Sequence, residues 1–487
     1  VLADAVHQQQ AGAGRGGGGQ PVFAVQPLAI RGGEGVRVPC DVHARGPSGG
    51  RGGMQGRGGG ILRRRGGRRL LFARAASPLW RVSAAETPAP ASRARLAGLF
   101  FLMALPMGMW TIPLGNVMVA YGKGHLLPWV LAAGAVSSFI SPLVIGSLAD
   151  QRVSPVRILR WLSLAAGAAL LLINRAIEAG WSDAAVLWCA LAMSLVSTPL
   201  WGLGSAIVLS QLSQPSRQFG PVRACATLGW MAGGLLVSYA LRSDTSVLGG
   251  YVAACCWLLV AGFTLALPRI PPPDTAGHRG WRQILGLDAL DLLKDANHRM
   301  VFVTAALYTI PLAAFYPHCV RHLRDLGVPG PAGVMTLGQI TEVLVMVVLA
   351  GLMTRFRLKW VFLSGIGFGL LRYLVFMIGT PGWIIAGIVM HGLAYTLYFI
   401  TTQIYLEDRI PAAQRARAQA LLTLLSSGVG NLAGFLGSGW WLARMEKSGG
   451  GQVPWTPFWG GLAAVTALVF VFFALCYRGK GRHFEEA

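Results

Sequence analysis

From about Leu96 onward the chain alternates long apolar runs with short polar breaks. Each run approaches 20 residues, the length an α-helix needs to cross a hydrocarbon core of about 30 Å. The pattern predicts spans at 97–120, 127–148, 156–174, 184–209, 221–241 and 248–268. After a polar stretch opened by Pro271-Pro272-Pro273 come six more, at 300–320, 331–354, 358–378, 381–403, 414–440 and 455–477. Six spans, a long loop and six spans again is the organisation of two repeated helical bundles. The predicted fold class is therefore an all-α membrane protein with twelve transmembrane helices in two six-helix bundles.

Charge patterning tests that count. If the first span starts inside, the cytoplasmic segments hold the clusters Arg152/Arg157/Arg160, Arg355/Arg357/Lys359, Arg409/Arg415/Arg417 and Arg478/Lys480/Arg482, together with Arg217 and the basic residues of 269–299. The outer loops hold only Lys123, Arg175, Arg242, Arg321, Arg324, Arg444 and Lys447. Basic residues gather on cytoplasmic loops, so the bias, more than two to one, places both termini inside, in the cytoplasmic (inner) membrane. The domain reading is a segment 1–95, a bundle 96–268, a cytoplasmic linker 269–299, a second bundle 300–478 and a tail 479–487.

Composition agrees: 54% of the 487 residues are hydrophobic and only 13% charged, where a soluble domain carries roughly a quarter charged. The net charge of +23 invites a nucleic-acid partner, but fifteen arginines against Asp4, Glu34, Asp41 and Glu86 put +11 of it in residues 1–95. That segment is glycine- and arginine-rich and lacks the periodicity a fold needs, so it reads as disordered. Three readings stand for it: a leader ahead of a true start near Met54 or later, a basic tail at the membrane surface, or an RNA-binding tail. The last is disfavoured because aromatics for base stacking are nearly absent. No apolar stretch before a cleavage site marks a signal peptide. The seven cysteines form no CxxC pair and lie mostly in apolar runs, which argues against a zinc site. No G-x-x-x-x-G-K-[ST] loop supports an ATP-driven pump, and no G-x-S-x-G or H-E-x-x-H motif supports an enzyme. The reading is of no enzyme, no cofactor, no metal and no nucleic-acid partner. The partners are lipid, a small molecule and a proton, and the chain is expected to act as a monomer.

Polar groups deep in a span carry the sharper signal, because a charge at mid-membrane costs about 2.5–3.5 kcal/mol on insertion scales. Glu342 lies near the middle of the eighth span, and Gln339, three positions earlier, shares its helix face. Two arginines could answer it, Arg223 at the start of the fifth span with Thr227 one turn on, or Arg372 inside the ninth; the sequence leaves both open. Tyr395, Thr396 and Tyr398 in the tenth span offer aromatic faces and a hydroxyl. His318, His322 and His391 read as packing or loop histidines. The glycines of the first, fifth and eleventh spans suit close helix packing.

Gly146-Ser147-Leu148-Ala149-Asp150-Gln151-Arg152 matches the G-x-L-A-D loop of the major facilitator superfamily, in which Asp150 and Arg152 would latch the cytoplasmic side. From Leu96 to Arg478 the chain further resembles the nucleoside:proton symporter family of that superfamily. The likeness rests on Pro221-Val222-Arg223 through Thr227-Leu228-Gly229, on Leu267-Pro268-Arg269-Ile270-Pro271 with Leu285-Gly286-Leu287-Asp288-Ala289, and on Gln339-Ile340-Thr341-Glu342 with Leu371-Arg372-Tyr373. Glu407, Arg415 and Ala418-Gln419 match the link after the tenth helix. The resemblance implies alternating-access symport, with substrate held by Arg223, Thr227, Gln339, Glu342, Tyr395 and Thr396. It implies proton coupling at Glu342, and gating or structural roles for Asp150, Arg152, Arg372, Glu407 and Arg415. The chain departs from the family where it has Pro311 and Ala314 in place of seventh-helix amides and Thr396 in place of a tenth-helix aspartate. A weaker preference for nucleosides is expected, with a sugar or other metabolite as the alternative cargo and a non-transporting sensor or scaffold as the alternative role.

Overall fold

The computed structural model describes residues 91–150, 153–213, 215–268, 270 and 287–479, without the side chains of 142–150, 215–217, 287–289, 412, 413 and 416. Segment 1–90, Arg152, the side chain of Asp150 and most of the 269–299 linker therefore lie outside the description.

Twelve long helices account for the described spans. They are α1 (Arg93–Ala120), α2 (Leu127–Asp150), α3 (Pro155–Glu178), α4 (Asp183–Gln211), α5 (Pro215–Leu235) and α6 (Leu248–Phe263). The second set is α7 (Ala296–Asp325), α8 (Pro331–Arg355), α9 (Leu358–Phe376), α10 (Pro381–Arg409), α11 (Arg417–Ser448) and α12 (Trp455–Cys476). Helices are what a lipid-embedded backbone demands, because every N–H and C=O must find its partner within the segment. Proline opens α3, α8 and α10 in the first turn, where its missing N–H costs nothing. Ser92 and Ser182 cap α1 and α4 through their hydroxyls, and Asp295 accepts from the backbone N–H groups of Asn297 and His298 at the head of α7. Left-handed glycines follow helix ends at Gly122, Gly180 and Gly327.

Among the described residues, eleven helices are long and apolar enough to cross a membrane by themselves. The helix outside that set is α5, diluted by Gln218, Arg223, Thr227 and its glycines. It is held by backbone approach instead. A Cβ at Gly229 would fall on the Phe101 carbonyl, one at Gly233 on the backbone of Leu105 and Met109, and one at Gly108 of α1 on the Trp230 carbonyl. Those glycines serve close packing. The same device brings α8 against α10, where a Cβ on Gly392 would strike the backbone nitrogen of Glu342. Thr341 donates from its hydroxyl to the Val389 carbonyl at 2.6 Å beside it.

α1 and α7 are both interrupted, at 112–113 and at Ala314, next to Pro113 and Pro311. Beyond the breaks they meet: Asn116 donates from its amide to the Val320 carbonyl at 3.3 Å. At the same end, Asp244 and Ser238 from the first half cap the N-terminus of α8. Asp244 Oδ1 accepts from Ala332 N at 2.9 Å and from the Ser238 hydroxyl at 2.9 Å, and Ser238 Oγ accepts from Gly333 N at 2.8 Å. α2 also packs along α11, Pro128 lying where a side chain on Gly439 would project.

Candidate functional site

A cavity of about 410 Å³ lies in the seam between the halves. Its walls come from α1, α2, α4 and α5 on one side and α7, α8, α10 and α11 on the other; α3, α6, α9 and α12 contribute nothing. The volume falls within the usual few hundred Å³ of a small-molecule site.

On the first-half wall α5 presents Arg223, Ala226, Thr227 and Trp230. The spacing i, i+3, i+4, i+7 puts them on one helix face. The Arg223 guanidinium lies 4.5 Å from the ring centre of Trp201 on α4, a cation held on a π face. The indole N–H of Trp230 is buried with no partner, and its ring meets Tyr316 edge-on across the cavity, at 6.0 Å and 65°.

On the second-half wall Gln339 and Glu342 project from α8, His391 and Tyr395 from α10, and Tyr316 from α7 just past its break. Arg223 and Glu342 line the same cavity, although no ion pair within 4.0 Å joins them, whereas Arg372 is not among its lining residues. Of the two arginines the sequence left open, Arg223 is the one that shares the cavity with Glu342. Arg372 stands behind the wall, fully buried, donating from Nη1 to His391 Nδ1 at 2.8 Å and from Nη2 to the Tyr373 hydroxyl at 2.9 Å.

Of the six residues expected at the substrate site, Arg223, Thr227, Gln339, Glu342 and Tyr395 converge. Thr396 does not: it is fully buried, its hydroxyl turned to the Glu342 carbonyl at 3.4 Å, where a π-helical turn (Thr396–Ile400) begins. Nor do Pro311 and Ala314 face the cavity. Pro311 accepts from Tyr373 through its carbonyl, Ala314 is fully buried, and Leu312, Ala313, Tyr316 and Pro317 line the wall instead. Glu407 and Arg415 lie 3.8 Å apart on the surface, with Arg415 also donating to the Ile410 carbonyl.

Sequence reasoning missed Trp201, Trp230, Tyr316, His391 and Asn431 as wall residues. Two signals were available. His391 is one turn before Tyr395, and Trp230 is one turn past Thr227 plus three, so each shares the face of a residue already singled out. Tyr316 depends on the rotation after the α7 break, and Trp201 and Asn431 looked like any other residues in their spans.

The sequence profile of the Nucleoside H+ symporter family matches residues 91–482. The chain belongs to that family. It is 30% identical over 403 residues to the putative nucleoside transporter YegT of Escherichia coli (strain K12), covering 79% of this chain and 93% of that one. Xanthosine permease of the same organism is 25% identical over 402 residues, 78% and 94% of the two chains. A crystal structure of nucleoside transporter NupG superposes with a TM-score of 0.70 at 21% identity, covering 79% of this chain and 99% of that one. An auto-inhibited POT-family peptide transporter superposes with a TM-score of 0.61 at 16% identity; these two likenesses establish the fold. The chain is thus a multi-pass integral membrane transporter of the major facilitator type, not an enzyme.

Proposed function

We propose that this chain carries a nucleoside together with a proton, by alternating access around the seam cavity. The observation that carries the reading is the wall pairing: Arg223 and Thr227 on one half oppose Gln339 and Glu342 on the other, so one solute can touch both halves at once. A binding site shared between two bundles is what rocking of one against the other needs. In this reading Glu342 takes the proton or a ribose-like hydroxyl, Arg223 supplies the opposing charge, and Thr227 and Gln339 add hydrogen bonds. Trp201, Trp230, Tyr316 and Tyr395 give a flat ring faces to stack on. Base–aromatic stacking is worth about 1–3 kcal/mol per base.

The moving units are the bundles 96–268 and 300–478, joined by a cytoplasmic linker 269–299. Both termini lie inside, and the functional unit is one chain, since one chain supplies both walls. With that orientation the end latched by Asp244 and Asn116 is the outer gate.

A second reading, a sugar or similar polyol as cargo, is favoured by one feature. The seventh helix gives the cavity Leu312 and Ala313 rather than amides, and Thr396 is turned away, so few groups remain to read a base. Uptake of labelled uridine, adenosine, xanthosine and glucose into proteoliposomes under an inward pH gradient separates the readings. Accumulation of nucleosides that collapses with a protonophore is the expected result; accumulation of glucose alone would replace the first reading with the second.

A further inference from the structure

Arg372 has an unusual setting for a charge buried in a membrane bundle. It is fully buried, its Nε has no partner, and among the described residues no carboxylate lies within 4.0 Å of it. Its guanidinium sits 4.5 Å from the Phe315 ring centre and 4.6 Å from that of Tyr373, and it spends its donors on two neutral side chains, His391 and Tyr373. A buried cation without a counter-ion is costly to keep. Arg372 touches no part of the cavity, but His391 does.

Donor and acceptor arithmetic then runs outward from Arg372. A guanidinium can only donate, so His391 Nδ1 must accept. The neutral ring therefore carries its proton on Nε2, which lies 3.3 Å from the Tyr316 hydroxyl and donates to it. Tyr316, having accepted, gives its own proton to the Gln339 amide, 2.5 Å away. Gln339 must meet it with oxygen. The opposite amide orientation would aim nitrogen at Tyr316 and oxygen at the carbonyls of Met335 and Thr336, leaving two acceptors face to face. With oxygen toward Tyr316, the amide nitrogen donates to Met335 O at 2.9 Å and Thr336 O at 3.3 Å. Every proton in the chain is then assigned, and each points away from Arg372.

We propose that Arg372 is a positioning residue for the cavity: through His391 and Tyr316 it fixes the Gln339 amide so that the Gln339–Tyr316 patch of this wall offers acceptors to the hydroxyl donors of a polyol. Both Gln339 N–H groups are consumed by the helix backbone, and the Tyr316 proton by Gln339. What remains for a solute on that patch is a lone pair on Tyr316 and one on Gln339 Oε1, beside the Glu342 carboxyl and the Tyr395 hydroxyl. The facing wall opposes it with the Arg223 guanidinium and the Thr227 hydroxyl. A solute bound across the seam is therefore oriented, its hydroxyl donors toward α8 and its acceptors toward α5. The identification of those hydroxyls with a ribose rests on the reading given under Proposed function; the direction of the hydrogen bonds does not.

Two measurements test this. The first needs no ligand: 15N spectra of histidine-labelled protein in micelles, with His391 assigned by its loss in His391→Gln. The expected ring is neutral with the proton on Nε2. A proton on Nδ1, or a doubly protonated ring, would overturn the proposal. The second compares binding of uridine with its 2′- and 3′-fluoro analogues, which keep an acceptor but lose the donor. Wild-type protein should lose about tenfold in affinity for at least one analogue, the worth of one hydrogen bond to an oriented acceptor. In Arg372→Met the His391 tautomer is released, and that ratio should fall toward one, while Arg372→Lys, which can still donate to Nδ1, should restore much of it. A folded Arg372→Met protein that discriminates as wild type does would show that Arg372 only packs. If Arg372→Met does not fold, the wild-type tautomer decides. If wild-type protein binds no nucleoside, the proposed cargo falls, and the spectrum still decides the hydrogen-bond direction.

Discussion

At the scale of single residues the site is a set of charges and rings whose value comes from what faces them. Glu342 shares the cavity with Arg223 without a closed ion pair within 4.0 Å, and the proposed coupling role for its carboxyl can be tested directly. Glu342→Gln mimics a permanently protonated carboxyl, so pH-driven accumulation should be abolished while substrate exchange across equal pH continues. Uptake in the mutant with an unchanged pH dependence would remove Glu342 from the coupling step. Trp201 is the ledge on which the Arg223 guanidinium rests. Trp201→Leu loses the π face together with part of the bulk, and should weaken substrate binding at least roughly 3- to 30-fold, the range a partly desolvated cation–π contact supplies. Titration calorimetry on the two proteins checks it, and equal dissociation constants would count the stacking as incidental.

At the scale of helices, the site depends on how closely α8 and α10 approach. Gly392 has no room for a Cβ, since the Glu342 backbone nitrogen occupies that place, whereas Gly382 on the same helix has open space around it. Gly392→Ala should therefore destabilise by about 1–3 kcal/mol through overpacking. Gly382→Ala should be neutral or stabilise by up to about 1 kcal/mol through helix propensity. Thermal unfolding in detergent, followed for both, tests the difference in sign. Several cations near the loops after α1, α3 and α7 are paired. Lys123 pairs with Asp183 at 2.7 Å, Arg175 with Glu178 at 3.2 Å and Arg321 with Glu446 at 2.5 Å.

For the molecule as a whole, the latch made by Asp244 and Ser238 on the head of α8 joins the halves at one end. Removing its cap with Asp244→Ala should cost the closed end about 1 kcal/mol, the usual worth of a helix cap. That is a several-fold shift in population toward states open at that end. Nitroxide pairs at Ser246 and Val328 would report it as a new, longer distance; an unchanged distance distribution would mean that the cap stabilises α8 alone. The same scale holds the topology. Cysteine labelling that finds the 269–299 linker outside would overturn the orientation, and a chain starting near Pro88 should insert and transport as the full one does.

The number, length and order of the helices were legible in the sequence because a bilayer imposes a length rule and a charge rule on each segment separately. Even α5, the least apolar span, was readable, through its place between two loops and its basic start. Gln339 and Glu342 stood out in the sequence because polar groups deep in an apolar run are expensive, whereas Arg223 and Thr227, at the start of their span, stood out chiefly through the family resemblance. What the tertiary structure decided is which groups meet. Whether Arg223 or Arg372 answers Glu342, that Thr396 turns away while His391 turns in, and that Tyr316 replaces Pro311 and Ala314 on the wall all depend on helix rotation. That rotation is set by the break in α7, the π turn in α10 and the glycine contacts between helices. These are interactions between segments far apart in sequence, and no local pattern encodes them.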